Sequence, residues 1–185
     1  MDGQISRSAI VTVPNAISLA RLCAVPAVVW LIVIGALRAG FWLFLAAGIS
    51  DALDGYLARR GARSHLGAVL DPLADKLLLV SVYVVLAAIG RLPDWLAILV
   101  VFRDVVIVGG ALVLNFLGHV VTIRPLLLSK VNTAAQIGLI GVVLMQAGFG
   151  LNWAWLTDGL IAGVAVTTAA SGVAYVWREA LVGYG

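Results

Sequence analysis

The chain is short of charge. Lysine, arginine, aspartate and glutamate make up only 11% of its 185 residues, against a hydrophobic share of 63%. That scarcity excludes an ordinary solvated surface, since soluble domains carry roughly a quarter of their residues charged. Mean hydropathy is correspondingly high, at +1.10. Cysteine is almost absent. The one thiol, Cys23, excludes a disulfide framework or a cysteine metal site within one chain, and in its apolar run it reads as structural. A net charge of +3 and a pI near 9.4 come without any basic run, so nucleic acid is not expected as a partner. No charged segment followed by an apolar stretch and a small-residue cleavage site opens the chain, so no cleavable signal peptide is expected. No repeat with a period of roughly 20–50 residues is visible. Chemistry, if there is any, is expected in or at a bilayer.

What the chain does have is long apolar stretches. A membrane span needs about 20 mostly apolar residues. The pattern predicts six spans, at 16–37, 41–60, 66–89, 93–117, 127–149 and 152–177. Glycine, proline and charge punctuate them at Arg38 to Gly40, Arg60 to Arg63, Gly90 to Pro93, Gly118 to Pro125 and Gly150 to Asn152. The expected fold is an all-α integral membrane protein, a single six-helix transmembrane domain over residues 1–185. Arg7, Arg59, Arg60, Arg63, Arg124, Lys130 and Arg178 collect on one side and Arg38 and Arg91 on the other. The positive-inside rule makes the first side, and both termini, cytoplasmic. Trp42, Trp95, Trp153 and Trp155 fall near the opposite interface, as an aromatic belt would. A chain this compact fits a multi-pass protein of a bacterial inner membrane.

Inside this apolar background stand Asp51, Asp54, Asp71 and Asp75, four of the nine acidic residues. An ionised carboxylate at membrane depth is costly and marks a candidate functional site. The second and third predicted spans form an antiparallel hairpin about a loop near Arg63. Asp54 and Asp71 lie at similar distances from that centre, and so do Asp51 and Asp75, roughly 12–18 Å deep at the helical rise. Spacings of i, i+3 and i, i+4 put each pair on one helix face. Four convergent carboxylates do not all stay ionised without cations. An all-oxygen set favours hard ions such as Mg²⁺, Mn²⁺ or Ca²⁺. The residues between suit a phosphate-bearing substrate. Gly55 and Gly67 let a ligand approach the backbone closely, Ala58 keeps the same face small, and Arg59 offers a forked donor. A purely ionic network using Lys76 and Arg59 leaves two carboxylates unpaired and does not account for the small residues.

Asp51-x-x-Asp54-Gly55-x-x-Ala58-Arg59, followed by Gly67-x-x-x-Asp71-x-x-x-Asp75, resembles the signature of the CDP-alcohol phosphotransferases. Seven residues separate Arg59 from Gly67, where that family often has about eight. Val13-Pro14-Asn15 to Arg21 and Asp71-Pro72-Leu-Ala-Asp75-Lys76 resemble its phospholipid-making members. Arg103-Asp104 to Gly110 and Ser129-Lys130-Val-Asn132-Thr133-Ala-Ala-Gln136 resemble its CMP-forming cardiolipin synthases. Phosphatidylglycerophosphate synthases usually carry Arg-Glu at the first of these stretches, with a further arginine where Ile107 to Leu112 is wholly apolar.

The resemblance implies a homodimeric membrane enzyme that moves a phosphatidyl group from CDP-diacylglycerol to phosphatidylglycerol and releases CMP. It implies two divalent ions, Mg²⁺ or Mn²⁺. Asp51, Asp54 and Asp71 would hold the first, and Asp75 would help hold the second and act as general base. It places the CDP-bearing donor on Gly55, Ala58, Arg59 and Gly67, with Asn15 and Arg21 from the first helix. An anionic acceptor then needs a second cationic pocket, for which Arg103, Arg124 and Lys130 are the candidates. For Arg103 the alternative is a salt bridge to Asp104, and for Arg124 and Lys130 it is ordinary loop charge. Glycerol 3-phosphate is the rival acceptor. A divalent-cation transporter is the rival class, but residues 95–185 hold no second acidic cluster to form a related half. His65 and His119 lack the His-x-Lys context of phospholipase-D-like chemistry.

Overall fold

Six helices and no strands make up the described residues of the computed structural model: α1 (Val13–Val33), α2 (Leu37–Ala58), α3 (His65–Ala88), α4 (Asp94–Phe116), α5 (Leu127–Phe149) and α6 (Ala154–Val182). The structure describes the backbone of residues 13–58, 65–116 and 127–182, and the side chains of 20–50, 74–110, 128–175 and 177. The chain divides into two compact units, Met1–Val82 and Tyr83–Gly185.

Glycine in the left-handed region sets three of the helix ends. Gly90 has φ +71°, its N–H donates to the Ala87 carbonyl, and Arg91 N–H donates to the Leu86 carbonyl. That pair of bonds is a Schellman closure, which satisfies carbonyls the helix leaves open. Gly150, at φ +68°, ends α5 the same way, with Leu151 N–H donating back to the Gln146 carbonyl. Gly35, at φ +77°, closes α1. The first break therefore falls three residues earlier than the charge pattern suggests. Arg38 lies in the first turn of α2 instead of in the loop, because a positive-φ glycine stops a helix more sharply than a single exposed arginine does. Helix α4 begins immediately after Pro93, whose carbonyl accepts from Leu96 and Ala97, and Asp94 in its first turn complements the helix dipole.

In the first unit α1 packs on α2, burying Val28, Ile32, Leu37, Phe44 and Ala47. In the second, α5 and α4 both pack on α6. Leu86, Leu96, Val100, Leu139, Ile140, Leu144 and Val164 are fully enclosed there. Tyr83 is fully buried, and its hydroxyl donates to the Gln136 carbonyl at 3.3 Å. Gln146 ties the α5–α6 turn, its Nε2 donating to Thr157 Oγ1 at 2.7 Å.

The polarity runs opposite to that of a soluble protein. Trp30, Trp42, Trp95, Ile98, Phe102, Val105, Trp155, Val166 and Trp177 are exposed, while Arg21, Arg103, Asp104, Asn132, Gln136, Thr168 and Ser171 are buried. Large apolar side chains outside and charged ones inside are what a hydrocarbon solvent selects. Two helical segments, Leu128–Phe149 and Ala154–Tyr175, are long and apolar enough to cross a membrane among the described residues, with shorter apolar stretches at Ala20–Val33 and Leu37–Ser50.

Candidate functional site

The helical backbone carries the acidic signature as its spacing requires. Asp51, Asp54, Gly55 and Ala58 lie in α2, and Gly67, Asp71 and Asp75 lie in α3. Each acidic pair therefore keeps its i, i+3 or i, i+4 spacing on a real helix, which places its two members on one face. The side chains of Asn15, Asp51, Asp54, Gly55, Ala58, Gly67 and Asp71 fall outside the described set, and Arg59 and Arg124 fall outside the described residues altogether. No group of three potential metal ligands occurs among the described residues, which include only Asp75 of the four aspartates.

Asp75 is held from α1. Arg21 Nη1 donates to Asp75 Oδ1 at 2.7 Å across a separation of 54 residues. The Arg21 side chain is almost wholly enclosed, 1% exposed, whereas the Asp75 side chain is 37% exposed. A buried guanidinium thus fixes one edge of a carboxylate that remains accessible. Two predicted site residues meet here, but Arg21 meets Asp75 directly, a contact its assignment to the donor did not include. The chemistry fits a divalent-ion site. Every carboxylate in the signature supplies oxygen, and Asp75, the one described, is oriented by Arg21 and partly exposed.

In the second unit Arg103 is buried and held by contacts from α4, α5 and α6. Its Nε donates to Ser171 Oγ of α6 at 3.0 Å, Nη1 to Asp104 Oδ1 at 2.8 Å, and Nη2 to Ser129 Oγ of α5 at 2.9 Å. The salt bridge to Asp104, the alternative weighed for this arginine, is therefore present, and two serine hydroxyls join it. Lys130 is exposed on α5.

A polar seam continues from this clamp along α5 and α6; the motif reading quotes its α5 residues Ser129, Asn132 and Gln136 but not Thr167, Thr168 or Ser171 on α6. Asn132, fully buried, places Oδ1 at 2.9 Å from both Thr167 Oγ1 and Thr168 Oγ1. Either end of a carboxamide suits such a pair, because a hydroxyl both donates and accepts. Ser171 Oγ donates to the Thr168 carbonyl at 3.0 Å, linking seam to clamp. The signal was available. Ser129, Asn132 and Gln136 recur at i, i+3 and i+7, and Thr167, Thr168 and Ser171 cluster at helical spacing in an apolar helix.

Comparison with known proteins gives a consistent likeness. The family model for CDP-alcohol phosphatidyltransferase matches residues 11–174. A probable cardiolipin synthase (CMP-forming) of Drosophila melanogaster is 36% identical over 94% of the chain and 59% of its own length. The chloroplastic CDP-diacylglycerol–glycerol-3-phosphate 3-phosphatidyltransferase 1 of Oryza sativa subsp. japonica is 35% identical over 91% of the chain and 57% of its own length. The cardiolipin synthase (CMP-forming) of Homo sapiens is 32% identical over 89% of the chain and 60% of its own length. The chain thus spans about 60% of the length of these relatives.

Proposed function

The chain belongs to the CDP-alcohol phosphatidyltransferase family, and from that premise we propose that it makes cardiolipin by moving a phosphatidyl group from CDP-diacylglycerol to phosphatidylglycerol. The observation that carries the reading is Asp75, an accessible carboxylate oriented by a buried arginine within the acidic signature. In this reading Asp75 accepts the proton of the acceptor hydroxyl. The freed oxygen forms a bond to the phosphorus that bears the diacylglycerol, and the bond from that phosphorus to CMP breaks, with CMP keeping the electron pair. A positioned base typically contributes about 10²–10⁴-fold. Two divalent ions, Mg²⁺ or Mn²⁺, held by Asp51, Asp54, Asp71 and Asp75, would neutralise the pyrophosphate and the leaving CMP. Gly55, Ala58, Arg59 and Gly67, with Asn15, receive the donor's CDP moiety. Arg21 serves that site through Asp75. Arg103 meets the anionic acceptor, and Arg124 and Lys130 add positive charge near it.

The outward apolar side chains support a six-span, membrane-embedded domain running over residues 1–185. The arginine and lysine distribution supports cytoplasmic termini, and a bacterial inner membrane and a homodimer complete the reading. A second acceptor reading, glycerol 3-phosphate, is favoured by the likeness to the rice protein. Purified protein given CDP-diacylglycerol and Mg²⁺ or Mn²⁺, with either acceptor in separate tubes, tests both by mass spectrometry. Cardiolipin and CMP with phosphatidylglycerol alone are expected. Phosphatidylglycerophosphate from the second tube alone overturns the acceptor assignment. Chelation with EDTA should stop CMP release in either case, and added Mg²⁺ or Mn²⁺ should restore it.

A further inference from the structure

A guanidinium carries five N–H donors, and the bonds made by Arg103 leave one N–H on each Nη without an acceptor among the described residues. Burial makes that arrangement informative. The side chain is only 6% exposed, so bulk water does not readily satisfy the remaining donors. Its three fixed contacts come from three helices, which removes the rotamer freedom an arginine ordinarily keeps. Two open N–H groups on a fixed planar fork are what a phosphate oxyanion takes in a two-point contact.

We propose that Asp104, Ser129 and Ser171 are positioning residues that hold Arg103 as a preset fork for the phosphate of the acceptor. The proposal rests on the reading that Arg103 meets the acceptor, and it assigns roles to three residues beyond that reading. Each partner has a distinct part. Asp104 engages Nη1 and balances the buried charge before an anion arrives. Ser129, in the first turns of α5, holds Nη2. Ser171 accepts from Nε–H and donates its own O–H to the Thr168 carbonyl, so its lone pairs face the arginine. Alanine at position 171 frees one edge of the fork without removing its charge. Asparagine at 104 keeps an acceptor oxygen but removes the counter-charge.

The test is steady-state kinetics on Ser171→Ala, Ser129→Ala and Asp104→Asn in mixed micelles, with donor and acceptor concentrations varied independently. Each variant is first checked for an unchanged thermal midpoint in detergent. The expected result is a rise of about tenfold or more in acceptor KM, with donor KM within twofold of the parent, since a hydrogen bond to a charged group is worth that much. Ser171→Thr, which keeps the hydroxyl, should recover most of the loss, and Arg103→Lys should not, because an ammonium has no fork. Equal rises in both KM values, a loss confined to kcat, or no change in any variant would each overturn the positioning role. Running phosphatidylglycerol and glycerol 3-phosphate in parallel separates the two claims. Turnover of the second acceptor alone with the same KM split removes the cardiolipin reading and keeps the fork. Cardiolipin formation without the split keeps the first and removes the second.

Discussion

Two arginine–aspartate pairs, one in each unit, have nearly equal bond lengths and opposite designs. Arg21 and Asp75 stand 54 residues apart and meet at 2.7 Å; Arg103 and Asp104 are sequence neighbours and meet at 2.8 Å. In the first pair the arginine is enclosed while the carboxylate stays 37% exposed; in the second both side chains are enclosed, at 6% and 10%. Burial of a charge is costly unless its partners are in place. The first pair therefore puts the cost on the arginine and leaves the carboxylate partly exposed. The second encloses the carboxylate, and two hydroxyls hold the arginine beside it. Bond length alone does not distinguish the two pairs. What differs is how much of each carboxylate is exposed.

The sharpest way to break this contrast is Asp75→Asn. Turnover should fall by about 10²–10⁴-fold while CDP-diacylglycerol binding changes little. Unchanged turnover would place the base elsewhere. Arg21→Met comes next. It removes the donor to Oδ1, and turnover should drop about tenfold to a hundredfold, less than for Asp75→Asn, because the carboxylate remains but is no longer oriented. A variant as active as the parent would mean that Asp75 needs no holding from α1. In the second unit, Asn132→Leu should lower the thermal midpoint in detergent by about 2–4 °C, corresponding to roughly 1 kcal/mol of interhelical hydrogen bonding. Donor KM should stay fixed. A large donor effect instead would show that the seam reaches the first site. Gly150→Ala should cost a similar or slightly smaller amount, about 1 kcal/mol, for holding a Cβ at φ +68°, with activity retained at low temperature.

The six helices were legible because glycine-marked breaks and apolar runs dominate this chain, and their ends match the described boundaries closely except at the start of α1, around Gly35 and past Trp177. At Gly35 the backbone conformation outweighed the arginine at position 38. At the carboxyl end, Arg178 did not stop α6, which runs to Val182, since a charged residue outside the apolar stretch is no obstacle to a helix. The acidic signature was legible from spacing alone, because helical periodicity converts i+3 and i+4 into a shared face. The partner of Asp75 was not. An arginine more than fifty positions away is joined to it by helix packing that no local pattern encodes. The seam of Asn132, Thr167 and Thr168 was half legible. Its spacing was visible, but small polar residues also occur singly in apolar helices, where a hydroxyl bonds its own backbone, as Thr167 does with the Gly163 carbonyl at 2.7 Å.

That seam bears on how the chain enters its solvent. In hydrocarbon, a lone helix carrying Asn132 and Gln136 presents amides that find no partner, and its neighbour carries Thr168 and Ser171. Joined by the short turn at Gly150, with Gln146 bonded across it, the two helices pair Asn132 Oδ1 with the hydroxyls of Thr167 and Thr168. The α5–α6 hairpin is thus a better traveller into the bilayer than either helix alone. A substitution in the seam is therefore expected to lower the yield of inserted protein before it lowers the activity of what has inserted.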